Sequence, residues 1–167
     1  MSLLPILRWP DPRLAEICDP VAEITPDLCR LADDMLETMY AAPGRGLAAP
    51  QVGQMLRLFV MDTAWKEGPH APQVFFNPSV AEVSDTLATQ TEGCLSIPGV
   101  SAEVTRPDRV RLSWTDRSGA ACSGWFEGFD AACVQHEMDH LEGRVTLDHL
   151  SDGARARVLA EYAEAIS

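Results

Sequence analysis

Gln135-His136-Glu137-Met138-Asp139-His140 is the strongest local pattern in this chain. Two histidines four residues apart on a helix share a face, so each can offer an imidazole to one metal ion, with Glu137 placed to move protons beside it. The surrounding residues predict a helix from about Phe129 to Leu141, stopped by Gly143. Upstream the period changes. Leu56 to Met61, Gln73 to Phe76 (ending at Asn77-Pro78), Ala81 to Val83, Ser101 to Thr105, Arg109 to Thr115 and Ala120 to Phe126 read as strands. The last two are joined as a hairpin across Asp116-Arg117-Ser118-Gly119. Thr25-Pro26-Asp27 is a cap, a first-turn proline and an acid at a helix start, followed by Leu28, Leu31, Met35 and Met39 at helical spacing, so a helix runs to about Tyr40. Arg45 to Gly53 is too rich in Gly and Pro for a regular element and is expected to be a structured loop. Ser151 and Asp152 can cap a last helix. Helices around a run of antiparallel strands predict an α+β fold, with residues 1–167 forming one domain.

With 167 residues the chain can bury about two-thirds of the surface its unfolded form exposes. At 46% apolar and 23% charged residues its composition is that of a globular protein, which argues against disordered or repetitive classes. The early apolar run Leu3 to Leu7 is broken by Pro5 and no basic stretch precedes it, so neither a signal peptide nor a membrane span is expected and the cytoplasm is the expected location. Thirteen basic against 25 acidic residues leave a formal charge of −12, which repels phosphate backbones and disfavours general nucleic-acid binding. The five cysteines, Cys18, Cys29, Cys94, Cys122 and Cys133, are odd in number and lack a Cys-x-x-Cys pair, so a disulfide framework is not expected. Cys29 and Cys133 fall in apolar helical patterns and read as small core residues.

A catalytic metal site of this kind needs a third protein ligand and one open position for water. In metzincin proteases the third ligand is a histidine six residues after the second; here that position is Thr146. In other helical His-Glu metallopeptidases a downstream glutamate serves, but Glu161 and Glu164 fall on the polar face of the terminal helix. Cys94, in Glu92-Gly93-Cys94-Leu95-Ser96, is the better third ligand. Its thiolate is a strong donor to a divalent ion that already has two imidazoles, and Gly93 permits close backbone approach. A metallopeptidase cutting internal amide bonds, and a free buried thiol at Cys94, are the alternatives at this point.

Three separated motifs, Gly44-Arg45-Gly46-Leu47-Ala48-Ala49-Pro50-Gln51, Glu92-Gly93-Cys94-Leu95-Ser96 and Gln135-His136-Glu137-Met138-Asp139-His140, together resemble the signature of the peptide deformylases in order and spacing. The resemblance extends from the Ile6 to Arg13 stretch, through Asp33 to Tyr40, to about Leu150. It implies antiparallel β-sheets packed around a central metal-binding helix. The activity it implies is hydrolysis of the formyl group from the formyl-methionine of newly made peptides, releasing formate.

The resemblance makes Cys94, His136 and His140 ligands of one divalent metal ion, Fe2+ in the cell, with Zn2+, Ni2+ or Co2+ as substitutes. It makes Glu137 the base towards water and then the acid towards the departing amine. The side-chain amide of Gln51 and the backbone N–H of Leu95 would face the charge that develops on the formyl oxygen. Backbone groups at Gly46 and Gly93 would hold the peptide in extended form, as an added strand. Its partners would be N-formylmethionyl nascent peptides.

Arg45 departs from the family pattern, which usually has an aliphatic residue there, lining the pocket for the methionine side chain. Its side chain could turn outward, narrow the pocket or favour an acidic group in the substrate. Phe129 and Ala132 also alter the expected lining. These departures motivate an alternative, a relative that binds peptide N-termini with weak or different activity. Some relatives dock on the ribosome through a basic terminal helix. From Ser151 to Ser167, Arg155 and Arg157 stand against Asp152, Glu161 and Glu164, a balance of 2 − 3 = −1, which does not support such docking.

Overall fold

In the computed structural model, which describes residues 2–167, three α-helices and seven strands follow one another in the order α1, β1 to β7, α2, α3. Helix α1 (Pro26–Ala41) starts as its sequence dictates: the Thr25 hydroxyl accepts from the Leu28 N–H at 3.2 Å, Pro26 opens the first turn and Asp27 sits at the positive end. Five strands form one antiparallel sheet in the order β1 (Gly46–Ala48), β2 (Leu58–Met61), β3 (Gln73–Val83), β6 (Arg109–Thr115), β7 (Ala121–Glu127). β4 (Leu87–Gly93) and β5 (Ser101–Pro107) make a separate two-stranded sheet. Helices α2 (Gly128–Leu141) and α3 (Asp152–Ala165) complete the chain.

The unbroken apolar run of β2 has a direct cause. Alternate side chains point to opposite faces of a strand, and here both faces are covered. Leu58 and Val60 pack with Met35, Met39, Leu47 and Phe76 under α1, whereas Phe59 and Met61 pack with Phe75, Leu112 and Val134 under α2. Helix α2 lies between the sheet and the β4–β5 pair and carries buried residues on most of its circumference, His136, Glu137 and His140 among them. A third cluster, Ile97, Val145, Leu147, Val158 and Tyr162, seats α3 against the segment that follows Cys94. The Tyr162 hydroxyl donates to the Trp9 carbonyl at 2.8 Å.

Three expectations need correction, and one strand stands where none is expected. The Arg45–Gly53 stretch is regular over most of its length: Gly46–Ala48 pairs with Phe59–Met61 as β1, and Ala49–Val52 is a turn of 3-10 helix. Strand pairing stabilises this Gly- and Pro-containing segment, which local propensity alone disfavours. β3 does not stop at Asn77-Pro78 but continues to Val83 across a register shift between Phe76 and Ser79. At that bulge Asn77 has a φ of 49°, its side chain accepts from the Val21 N–H and donates to the Val21 carbonyl, and Pro78 forfeits no ladder hydrogen bond. β4 was not anticipated, because Leu87-Ala88-Thr89-Gln90-Thr91-Glu92-Gly93 has no apolar face of its own; its pairing with β5 creates it. Of the two helical cysteines, Cys133 is buried, but Cys29 is only partly so.

The other expected elements stand where the sequence places them. The β6–β7 hairpin turns on Asp116, whose carboxylate accepts from the Ser118 and Ala120 N–H groups, with Gly119 at φ 89°. Gly143, at φ 73°, ends α2, and the Ser151 hydroxyl caps α3. Among the described residues no helix is long and apolar enough to cross a membrane.

Candidate metal centre

Cys94, His136 and His140 each present one donor atom, and these atoms lie within 4.8 Å of one another. The two imidazoles come from successive turns of α2, their ring centres 5.0 Å apart, and Cys94 Sγ lies 3.5 Å from His140 Nε2. Cys94 is held by a turn in which its carbonyl accepts from the Ile97 N–H at 2.9 Å. The N-terminal segment ties this turn to Gln51: the Trp9 N–H donates to the Ser96 carbonyl and the Leu7 N–H to the Gln51 carbonyl. One thiol and two imidazoles suit Fe2+, Zn2+, Ni2+ or Co2+. The buried Glu137 Oε1, which has no partner among the described residues, fits a water held by a bound ion.

A buried ionic network orients His136. Its Nδ1 meets Glu92 Oε1 at 3.0 Å, which leaves Nε2 for the centre. Arg106 clamps Glu92 from behind, Nε to Oε2 at 2.8 Å and Nη2 to Oε1 at 2.9 Å, and donates through Nη1 to Asp139 Oδ2 at 2.8 Å. His149 Nε2 meets the same Asp139 oxygen at 2.7 Å. Burial alone would raise the Glu92 pKa, but the hydrogen bonds from His136 and Arg106 win and hold it at about 2. The sequence points to Glu92 and Asp139 only as members of their motifs, and it does not single out Arg106 or His149. A signal for Arg106 existed: it continues the alternation of Ala102 and Val104, the inward-facing residues of β5.

Glu137 is 3% exposed. Burial drives its pKa up to about 7, the charges of Glu92 and Asp139 add to this, and His136 and Arg106 oppose it. A carboxyl so poised can accept and return a proton near neutrality. Beside it Gln51, 1% exposed, is fixed by its Oε1 accepting from the Ala48 N–H at 2.9 Å, while Nε2 donates to Ser96 Oγ at 3.0 Å and lies 3.8 Å from Cys94 Sγ. The Leu95 N–H finds no acceptor among the described residues.

The centre opens into a cleft of about 700 Å³. Gly44, Arg45 and Gly46 line one side and Gln90 to Gly93 the other. β1 is an edge of its sheet, and β4 pairs on one side only, with β5. Gly46 has no room for a side chain: a Cβ there would collide with the Glu137 carboxylate and lie 3.0 Å from Cys133 Sγ. Gly46→Ala is therefore expected to displace Glu137 and to lower turnover about 100-fold while metal content stays full, checked by parallel rate and metal measurements. At Gly93 a Cβ meets nothing within 4 Å, so the space belongs to the cleft. Arg45 is neither turned fully outward nor plugging the pocket; its guanidinium lies 5.3 Å from the centre of the Phe129 ring and pairs with Glu67. Glu161 and Glu164, on α3, are exposed and outside the cleft lining.

A sequence model of the family described as Polypeptide deformylase matches residues 3–156. The chain is 48% identical over 159 residues to a peptide deformylase of Maricaulis maris, covering 95% of this chain and 91% of the relative. It is 50% identical over 158 residues to one of Alkalilimnicola ehrlichii, covering 95% and 88%. Among solved structures, a peptide deformylase from Ehrlichia chaffeensis in complex with actinonin superposes with a TM-score of 0.92 at 36% identity, covering 99% of this chain and 98% of that one. A peptide deformylase from Legionella pneumophila superposes at 0.91 with 37% identity, covering 97% and 94%. With the fold, the three motifs and the Cys/His/His centre agreeing over nearly the whole length, the chain belongs to the peptide deformylase family.

Proposed function

We propose that this chain, as one metallohydrolase domain over residues 1–167 in the cytoplasm, hydrolyses the N-terminal formyl group of newly made formyl-methionyl peptides and releases formate. The observation that carries this reading is the buried Glu137 carboxyl beside the Cys94, His136 and His140 donors, at the end of a cleft flanked by two strand edges. The three donors would hold one divalent ion, Fe2+ in the cell. When bound, the ion supplies Lewis acidity, polarising the formyl oxygen and lowering the pKa of water.

The chain's own groups do the rest. An extended peptide lies between the edges of β1 and β4, fixed by backbone groups at Gly46 and Gly93. The Gln51 amide and the Leu95 N–H face the formyl oxygen as it gains charge. Glu137 takes a proton from water as the water oxygen bonds to the formyl carbon. It then delivers that proton to the amine nitrogen as the C–N bond breaks, so one carboxyl serves as base and then acid.

Formate release from formyl-Met-Ala-Ser, by protein prepared anaerobically with its metal content determined, tests this directly. The wild type is expected to turn over, and Cys94→Ala to lose both metal and activity. A Cys94→Ala protein that keeps its metal would show that the ligand set is wrong. No formate from fully metallated wild type would point to a different acyl group or a binding role.

A further inference from the structure

The charge around the cleft is unusual for so acidic a chain. Thirteen basic residues stand against 25 acidic ones overall, yet Arg8, Arg45 and Lys66 line the cleft and the acids that line it are Glu92 and Glu137. Both acids are buried, and Glu92 is engaged by Arg106 and His136. Arg8 and Lys66 are exposed and form no ion pair among the described residues. The cleft is therefore a cationic mouth on an anionic molecule.

Arg45 has an ion partner, but a replaceable one. Its Nη2 donates to Glu67 Oε1 at 2.7 Å and its Nη1 to Glu67 Oε2 at 3.3 Å and to the Thr63 carbonyl. The Glu67 side chain is 62% exposed, so water already competes for it and the pair is weakly held. Lys66 Nζ lies 5.7 Å from the centre of the Trp65 ring, and Trp65 Nε1 donates to the Gly44 carbonyl at 2.8 Å. Lys66 thus stands at the Gly44 end of the β1 edge. A peptide whose formyl end is at Glu137 and which runs back along that edge passes Arg45 first and Lys66 next.

We infer that Arg45 and Lys66 are specificity determinants that favour formyl-methionyl peptides with an acidic side chain in the one or two residues after methionine, Glu67 holding Arg45 in the place of that carboxylate. This rests on the deformylase reading and names its preferred substrates. Each exposed charge pair is worth about 1.4- to 5-fold, so a glutamate peptide should exceed its lysine counterpart about 5- to 10-fold in kcat/KM, mainly through KM. Salt should erode the ratio, because the Debye length shrinks from about 8 Å at physiological ionic strength to about 3 Å at 1 M.

The test compares formyl-Met-Ala-Glu-amide, formyl-Met-Ala-Lys-amide and formyl-Met-Ala-Ser-amide on the metal-loaded full chain, the amides removing the terminal carboxylate. Lys66→Met and Arg45→Met should each lower the Glu-to-Lys ratio about 2- to 3-fold, and Glu67→Gln should raise it. Equal rates for the Glu and Lys peptides, or a ratio unmoved by both cation variants, would overturn the inference while formyl-Met-Ala-Ser-amide is still deformylated. An advantage seen only with a free C-terminal carboxylate would overturn it equally. No formate from any of the three would remove the deformylase reading and this inference with it.

Discussion

Glu137→Gln is expected to lower formate release by about 10²- to 10⁴-fold, the range ascribed to one positioned acid–base group, while metal content and fold are kept. The substitution conserves volume at a site 3% exposed, so packing against Gly46 and Cys133 has little reason to change. What disappears is the capacity to take a proton and return it. The Gln51 amide and the Leu95 N–H remain, and with substrate binding they should leave a residual rate above that of water. Single-turnover assays with quantified metal check this. Full activity in a metal-replete Glu137→Gln protein would assign the proton transfers to another group.

The largest effect on stability is expected at Arg106, which is 6% exposed and donates to two carboxylates at once. Arg106→Met fills much of the space but leaves the buried Glu92 and the half-buried Asp139 without their common cation. Breaking a buried pair from one side costs about 3–5 kcal/mol. For a chain of this size that lowers Tm by on the order of 10 °C. The double variant Arg106→Met/Glu92→Gln removes one stranded charge and should recover part of the loss, a non-additivity that a double-mutant cycle in urea measures. An additive result, or a loss below 1 kcal/mol, would show that water or His136 alone satisfies Glu92. Because Glu92 orients His136, Arg106→Met should also weaken metal retention.

Much of this architecture was legible in the sequence because it rests on short-range chemistry. The Thr25 cap, the Asp116 turn and the Gly143 stop each depend on residues within four positions of one another, and each formed as expected. β4 and β1 were not legible. β4 is stabilised by β5, including a 2.7 Å bond between the Thr89 and Thr105 hydroxyls, and β1 by Phe59–Met61; in neither is the cause inside the segment. Asn77-Pro78 reads as a strand end because the sequence does not reveal that Val21, 56 residues away, satisfies the Asn77 amide.

The candidate site divides along the same line. His136 and His140 share one face of α2 with Glu137 to one side of them from the primary sequence alone, since the helical repeat fixes that geometry wherever the helix packs. Through its motifs it also pointed to Cys94, Gln51 and the two glycines. Chain packing alone sets Arg106 behind Glu92 with Asp139 on its other side, leaves space at Gly46 for the Glu137 carboxylate, and lays Arg45 between Phe129 and Glu67. Those contacts join separate strands, loops and helices, and their distances follow from how the sheets close around α2, which no local spacing encodes.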